Sequence, residues 1–259
     1  MEFYEKEFSS KSENLHSTKE GKQKRMDVYY TISDFLYSVY SRELFDTVKS
    51  LQPDCIVSGR IGNDLGEYMT TSDNFLPRLS YEGDWELPAT LNDTWGYKIG
   101  DENFKSPDEV IRLLLKVVSR GGNYLLNIDP DGTGAVPKGS LDVLNEVGKY
   151  VKENGEGIFG TKAMPYYPYE LDWAELTRKE HKLYVHVLKK REYIELPNIA
   201  NYSVSAKVLK NDRALEPQNT LNCEEISTIV IHLPKDLWKE TNYCVEITLQ
   251  EEGLEFLSL

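Results

Sequence analysis

The feature of this sequence that most limits its fold is a pair of short apolar segments that end in polar residues and glycines. The first is Cys55-Ile-Val-Ser-Gly-Arg-Ile-Gly62, and the second is Gly121-Gly-Asn-Tyr-Leu-Leu-Asn-Ile128. Such strands are typical of α/β proteins, which place their chemistry at the carboxyl ends of parallel strands. Between them lie an acidic stretch, Gly66–Asp73, and an aromatic stretch, Asp84–Tyr97, and we expect both to form loops.

Amphipathic helices separate the predicted strands. Ser41–Leu51 carries its apolar residues at helical spacing, and so does Ser140–Glu153. Ser106-Pro-Asp-Glu109 is a strong helix start, because serine suits the N-cap, proline the first turn and glutamate the capping-box position. With a further strand predicted at Asp27–Asp34, the β-α-β spacing favours parallel strands with helices packed outside.

The pattern changes after about residue 163, where short segments alternate or run apolar with turn residues between them. These segments are Leu183–Leu188, Tyr193–Leu196, Ser203–Leu209, Thr228–Leu233 and Tyr243–Leu249. Short strands at this spacing indicate an all-β sandwich. The sequence therefore predicts a solvated or disordered arm over residues 1–26, an α/β domain over 27–163 and a β-sandwich domain over 164–259.

The charge and composition exclude several classes of partner. A formal net charge of -13 disfavours nucleic acid and anionic membrane surfaces, because both repel an acidic protein. No apolar run approaches the length of a membrane span, and the polar N-terminus lacks the apolar core of a secretory signal. The compartment stays unknown on these grounds. No metal or organic cofactor is expected, since histidines and cysteines do not cluster at ligand spacing.

Several motifs resemble the catalytic domain of the retaining α-L-fucosidases, and they occur in that family's order and spacing. They are Leu51-Gln-Pro-Asp-Cys-Ile-Val-Ser-Gly-Arg-Ile-Gly-Asn63, Asp93-Thr-Trp-Gly-Tyr97, Val117-Val-Ser-Arg-Gly-Gly-Asn-Tyr-Leu-Leu-Asn127 and Asn154-Gly-Glu-Gly-Ile-Phe-Gly160. The resemblance implies an α/β fold with a partial (β/α)8-type barrel, followed by a small all-β sandwich. It also implies release of terminal α-L-fucose by a retaining double displacement.

Two carboxyl groups perform that chemistry in the family. An aspartate attacks the anomeric carbon, and a second carboxyl group protonates the departing oxygen. The resemblance implies that Asp73 is the acid/base, because it lies in the loop where family members carry this group. An Asx turn at Asp73 is the structural alternative, and Glu67 and Glu86 are the competing carboxylates.

The resemblance also implies substrate-binding residues. Arg60 matches an arginine that contacts the fucose ring region, although it could instead form a structural ion pair. Trp95 matches an aromatic residue that packs against the apolar face and C6 methyl group of fucose, although tryptophan is also a common core residue. Glu86 is expected to bind a sugar hydroxyl or to orient a loop.

The sequence departs from the family pattern at four points. The nucleophile strand of the family reads Trp-Phe-Asp, whereas this chain has Ile32-Ser-Asp34, so Asp34 is the candidate nucleophile by position only; its alternative is a helix cap or loop residue. A (β/α)8 barrel takes about 250 residues, so residues 1–163 can form only part of one. The family's binding histidines have no counterparts, since only His16 precedes the matching region, and Asp129 stands where the family usually has glycine.

Two functions of different classes follow. The first is an α-L-fucosidase in an incomplete or truncated form, and the alternative is a catalytically inactive carbohydrate-binding or scaffolding remnant of the same fold. In either case the expected partner is a fucosylated glycan or glycoside. A partial barrel exposes unpaired strand edges, so we also expect self-association or a complementing chain.

Overall fold

The computed structural model describes residues 39–77, 81, 83–164, 171–197, 199, 202–221 and 227–250. The chain divides into two compact units, Met1–Met69 and Thr70–Leu259. The arm predicted over residues 1–26 and the strand predicted at Asp27–Asp34, which includes the candidate nucleophile Asp34, lie outside the described residues.

The first unit is built on a helix and a close crossing of two backbone segments. Residues 39–51 are helical (α1), which confirms the helix predicted there. The regular strand predicted at Cys55–Ser58 is wrong: only Ser58 forms a β-bridge, to Tyr68, and a 3₁₀ turn follows at Gly59–Ile61. A side chain at Gly66 would lie 2.3 Å from the Cα of Gly59, so the two segments can cross this closely only because both residues are glycine.

Two parallel strands and two helices form the α/β part of the second unit. Strand β1 (Met69–Thr70) precedes β2 (Trp85–Thr90) in the chain. Strand β2 pairs in parallel with β3 (Asn123–Asn127). Helix α2 (Pro107–Val118) is the crossover between them. The predicted β-α-β unit is a different one, from Asp27–Asp34 through Ser41–Leu51 to Cys55–Ser58, and its first strand lies outside the described residues. Helix α3 (Lys138–Asn154) follows β3. The described residues do not close into a barrel.

Helix α2 begins at the residues that the sequence indicates. The Ser106 hydroxyl accepts from the Glu109 N–H, and the Glu109 carboxylate accepts from the Ser106 N–H in return, so both members of the capping box are present. The Ser106 N–H and, with a smaller effect, the Ser106 hydroxyl donate to the Glu109 carboxylate and lower its pKa. The helix buries Val110, Ile111 and Leu115 in an apolar core shared with α3. Both predicted helices, over α2 and α3, are confirmed.

The loop predicted across Asp84–Pro88 is wrong, because residues 85–90 form the buried strand β2. Trp85, Leu87 and Ala89 on one face of the strand are each 1% exposed, and Pro88 and Thr90 on the other face are buried as well. A Cβ atom at Gly122 would lie 2.4 Å from the Trp85 indole, so the tryptophan packs directly on the glycine backbone. Pro88 is accommodated in the strand, where its carbonyl oxygen accepts from Asn74 in a neighbouring loop.

The remainder of the second unit consists of two antiparallel sheets. The strands are β4 (Lys162–Ala163), β5 (Ala174–Lys179), β6 (Lys182–Val187), β7 (Tyr193–Pro197), β8 (Ser203–Val208), β9 (Arg213–Leu215), β10 (Pro217–Leu221), β11 (Ser227–His232) and β12 (Tyr243–Leu249). Their orders are β4-β5-β6-β12-β8-β9 and β10-β11-β7. The five strands predicted in this region are confirmed, whereas β4, β5, β9 and β10 were not predicted.

A single apolar core joins the two antiparallel sheets. Val185, Val208 and Val245 enter it from the six-stranded sheet, and Leu196 and Ile231 enter it from the three-stranded sheet. All five side chains are fully buried. No helix among the described residues is long and apolar enough to cross a membrane.

Candidate functional site

The carboxyl ends of β2 and β3 lie side by side and define the edge where an α/β protein places its chemistry. Thr90 and Asn127 are register partners at the ends of the two strands. Just beyond them, the Leu91 N–H donates to the Asn127 carbonyl oxygen at 3.2 Å. The side chains that follow Thr90 and Asn127 in the chain are therefore held at one edge of the sheet.

Asp73 lies on a tight turn that is fixed to the end of β2. The Phe75 N–H donates to the Ser72 carbonyl oxygen at 3.0 Å, and Asn74 has the left-handed φ of 57°. The Asn74 N–H donates to the Pro88 carbonyl oxygen at 2.8 Å, and its side-chain oxygen accepts from the Thr90 N–H at 3.0 Å. Asn74 therefore secures the turn to β2 with both its backbone and its side chain, while the Asp73 side chain stays exposed.

Trp95 lies on the loop that follows β2 and is tied to the end of β3. Its carbonyl oxygen accepts from the Asn127 side-chain amide at 2.7 Å. The Trp95 side chain is 44% exposed and that of Tyr97 is 49% exposed, so neither aromatic ring is a core residue. Asp73, Trp95 and Tyr97 therefore place an exposed carboxylate and two accessible aromatic rings at this edge of the sheet.

Glu86 lies at the opposite end of the strand. It is the second residue of β2 and pairs with Asn123, the first residue of β3. At the usual rise of about 3.3 Å per residue, its Cα is roughly 13 Å from that of Thr90. Its carboxylate accepts from the Thr70 hydroxyl at 3.0 Å, and its carbonyl oxygen accepts from the Thr71 N–H at 3.0 Å. The structure does not bring Glu86 to the edge that carries Trp95.

In the first unit, Arg60 lies in the 3₁₀ turn Gly59–Ile61 with an exposed side chain, and its N–H donates to the Ser58 hydroxyl oxygen at 3.3 Å. Glu67 accepts from the Lys49 ammonium at 2.6 Å and from the Val57 N–H at 2.9 Å. The hydrogen bond from Lys49 and that from Val57 lower the pKa of Glu67. A general acid must hold its proton, so a carboxyl group stabilised as an anion does not suit that role.

Three residues at the edge of the sheet have contacts that the sequence did not predict. Asn74 and Asn127 anchor the loops that carry Asp73 and Trp95, and the Lys105 ammonium donates to the Thr90 carbonyl oxygen. Asn127 could have been found, because it is the polar residue that ends an apolar strand. Asn74 could not, because its partners belong to another segment. Among the described residues, no group of three or more His, Cys, Asp or Glu could hold a metal ion.

Comparisons with known proteins agree on one family. The family model described as Alpha-L-fucosidase matches residues 11–156. The chain is 29% identical over 148 residues to an alpha-L-fucosidase of Dictyostelium discoideum, which covers 55% of this chain and 31% of that protein. It is 28% identical over 158 residues to the tissue alpha-L-fucosidase of Homo sapiens, covering 58% of this chain and 32% of that protein. The chain spans about a third of the length of these curated relatives.

Solved structures show the same similarity over a larger part of the chain. The structure superimposes on alpha-L-fucosidase isoenzyme 1 from Paenibacillus thiaminolyticus with a TM-score of 0.72 and 28% identity, covering 81% of this chain and 53% of that one. For an alpha-L-fucosidase from Vibrio sp. strain EJY3 the TM-score is 0.74 and the identity 27%, covering 84% and 40%. Since the family model matches more than half of the residues, this chain belongs to the alpha-L-fucosidase family.

Proposed function

We propose that the chain carries part or all of the site of a glycoside hydrolase that releases terminal α-L-fucose by a retaining double displacement. The observation that carries this proposal is the exposed carboxylate of Asp73, on a turn anchored to the carboxyl end of β2. This is the edge of an α/β sheet that supports catalysis in barrel enzymes. Membership of the alpha-L-fucosidase family supports the same reaction.

In this proposal Asp73 is the acid/base and Asp34 is the nucleophile. Retaining hydrolysis needs two carboxyl groups about 5–5.5 Å apart, one anionic when it attacks and one protonated when the leaving group departs. Asp73 serves the second role because it projects from a turn whose backbone is fixed by Asn74. The hydrogen bonds of Asn74 fix the backbone position of Asp73. General acid catalysis requires such a fixed position, because the carboxyl group must stay within hydrogen-bond reach of the leaving-group oxygen.

Arg60 and Trp95 have substrate-binding roles in the proposal. The guanidinium of Arg60 donates hydrogen bonds to sugar oxygens and holds the nucleophile in its anionic form. The half-exposed indole of Trp95 packs against the apolar face of fucose. Glu86 orients the segment at Thr70 and does not bind the sugar, because its carboxylate already accepts from the Thr70 hydroxyl at the amino end of β2.

We also propose the domain boundaries implied by the resemblance. Residues 27–163 correspond to the C-terminal part of a fucosidase barrel, and residues 164–259 to the β-sandwich that follows it, after an arm over residues 1–26. The shared core of the two antiparallel sheets supports the sandwich, and the parallel pair β2 and β3 supports the barrel. A strand from a second copy or a complementing chain would pair with any barrel edge left open.

The second candidate function is binding of a fucosylated glycan without turnover, or scaffolding. The observation that favours it is the sequence Ile32-Ser-Asp34. Isoleucine and serine stand there in place of the tryptophan and phenylalanine of the family's nucleophile strand. A protein of this kind would keep affinity for fucose through Arg60 and Trp95. It would bind fucose in calorimetry and lose that affinity in Arg60→Ala, while releasing no product from any fucoside.

The test compares two substrates that differ in leaving group. We expect the chain to release fucose both from 4-nitrophenyl α-L-fucoside and from a fucosyl disaccharide. Replacing Asp73 with Asn should slow disaccharide cleavage at least about 100-fold, because a sugar oxygen cannot leave without a proton. Release of nitrophenolate should fall much less in the first, bond-breaking step, since this leaving group needs little acid assistance.

The matched control is Asp84→Asn, which removes an exposed carboxylate just before the amino end of β2. It should leave both rates unchanged. Equal losses on both substrates in Asp73→Asn would contradict the acid/base role. No release from the unaltered chain, together with fucose binding, would select the second candidate function.

A further inference from the structure

The loop that carries Trp95 is held rigid from within by two carboxylates. Asp101 accepts from the Asn92 amide at 3.2 Å and from the Thr94 hydroxyl at 3.0 Å. Asp93 accepts from the Asn103 amide, with 3.0 Å to each of its oxygens. These bonds join the two ends of the loop on either side of Trp95. The loop is therefore closed on itself, and a further hydrogen bond tethers Trp95 to the sheet.

That tether comes from β3. The side-chain amide of Asn127 donates both to the Trp95 carbonyl oxygen, at 2.7 Å, and to the Asp129 carboxylate. Asp129 is 2% exposed, so its hydrogen bond with Asn127 is screened from water. The Asp129 carboxylate fixes the rotation of the Asn127 amide and thereby aims its N–H groups at the Trp95 backbone.

Two local features of Asp129 are unfavourable for the stability of the folded chain. The residue has a φ of 48°, a conformation that favours glycine, and its second carboxylate oxygen is buried with no hydrogen-bond partner among the described residues. Both features lower stability. A residue that is unfavourable for folding in two independent ways points to a role at the site.

We propose that Asn127 and Asp129 are positioning residues that hold Trp95 at the carboxyl edge of the sheet. The contact between Trp95 and fucose rests on the proposed function, whereas the tether itself does not. If Asp129 served only to fold the chain, its replacement by a residue suited to its backbone would have no effect on Trp95. If it positions Trp95, that replacement releases the loop without unfolding the protein.

The test uses Asp129→Gly with Asp129→Asn as its conservative counterpart. Glycine accepts the φ of 48° but removes the acceptor for Asn127, while asparagine keeps a side-chain oxygen and tolerates the same φ. The full chain is labelled with 5-fluorotryptophan, which gives ¹⁹F signals from its 4 tryptophans. The Trp95 signal is assigned by its loss in Trp95→Phe.

We expect the Trp95 signal to shift and broaden in Asp129→Gly and in Asn127→Ala, and to stay in place in Asp129→Asn. The signals of Trp85, Trp173 and Trp238 should not move, and the melting temperature of Asp129→Gly should not fall. An unchanged Trp95 signal in Asp129→Gly would overturn the proposal. So would equal changes in all tryptophan signals, which would indicate a general folding defect.

Steady-state kinetics of the Asp129 variants provide a second test of the positioning role. In Asp129→Gly the KM for 4-nitrophenyl α-L-fucoside should rise about tenfold with kcat nearly unchanged, because Trp95 contributes to binding of ground and transition state alike. Asp129→Asn should restore KM. If the unaltered chain neither binds nor cleaves fucosides, the proposed function fails and the ¹⁹F result still decides the tether. A fall in kcat at unchanged KM would overturn the positioning role.

Discussion

The imidazole of His186 is neutral in the folded protein because its surroundings suit only that form. The ring is fully buried; its Nε2–H donates to the Gly157 carbonyl oxygen at 2.9 Å, and its Nδ1 accepts from the Tyr150 hydroxyl at 2.9 Å. Burial lowers the pKa of His186 to about 4, although the bond to Gly157 opposes the shift. Burial also raises the pKa of Tyr150, so its hydroxyl remains a donor.

This imidazole makes stability depend on pH. The unfolded histidine, with a pKa near 6.5, binds a proton that the folded protein does not bind until about pH 4. Stability from this residue is therefore full above pH 6.5 and falls as the pH drops to 4, by about 3 kcal/mol in total. Urea unfolding across this window should give a shallower pH dependence in His186→Gln than in the unaltered chain. Equal slopes in the two proteins would contradict the account.

At the scale of elements, helix α3 and the turn after it are joined to the six-stranded sheet by close packing at one glycine. A side chain at Gly157 would lie 3.0 Å from the His186 ring and 3.1 Å from the Cys244 sulfur, both of which are buried. The Thr177 hydroxyl donates to the Gly157 carbonyl oxygen at 2.6 Å, which prevents the turn from moving away. The junction therefore has no room for a methyl group.

Two glycine substitutions distinguish the effect of tight packing on stability from the effect of helix propensity. Gly157→Ala should lower the free energy of unfolding by about 1–3 kcal/mol, because it overpacks the buried junction. Gly148 lies on the exposed side of α3, away from the helix ends, where an added side chain meets nothing within 4 Å. Gly148→Ala should therefore raise the free energy of unfolding by about 0.5–1 kcal/mol. Thermal or urea unfolding of both variants measures the difference. A stability of Gly157→Ala equal to that of the unaltered chain would show that the turn can relax.

The helices were predictable from local sequence, whereas the assignments at β2 and at Cys55–Ser58 were wrong for physical reasons. Helix α2 has a serine cap, a first-turn proline and a strong apolar period, and all of these signals are local. Strand β2 contains Pro88 and is flanked by aromatic residues, so its local sequence favours a loop, and its burial against distant residues decides otherwise. The segment Cys55–Ser58 has strand character, yet the crossing of Gly59 and Gly66 limits it to one bridge.

At the scale of the whole molecule, sequence motifs indicate the family and the edge of the sheet that carries Asp73 and Trp95, but not the residues that hold them there. The motifs are contiguous, whereas the anchors of Asp73 and Trp95 join separate segments: the Thr90 N–H donates to the Asn74 side chain, and the Asn127 amide donates to the Trp95 carbonyl oxygen. The burial of His186 between a helix and a sheet is likewise a product of tertiary packing. Fold class follows from local pattern, while site geometry follows from contacts distant in sequence.

The central claim is that this chain contains the reacting carboxylates of a retaining α-L-fucosidase. The most direct measurement is the intact mass of the chain after incubation with a 2-deoxy-2-fluoro-fucosyl fluoride, which forms a slowly hydrolysed glycosyl-enzyme with a retaining nucleophile. We predict one fucosyl adduct per chain, on the peptide that contains Asp34, and its formation in Asp73→Asn as well, since fluoride leaves without a proton. An adduct on Asp73 would contradict the assigned roles. The absence of any adduct, in a chain that still binds fucose, would contradict the claim of catalysis itself.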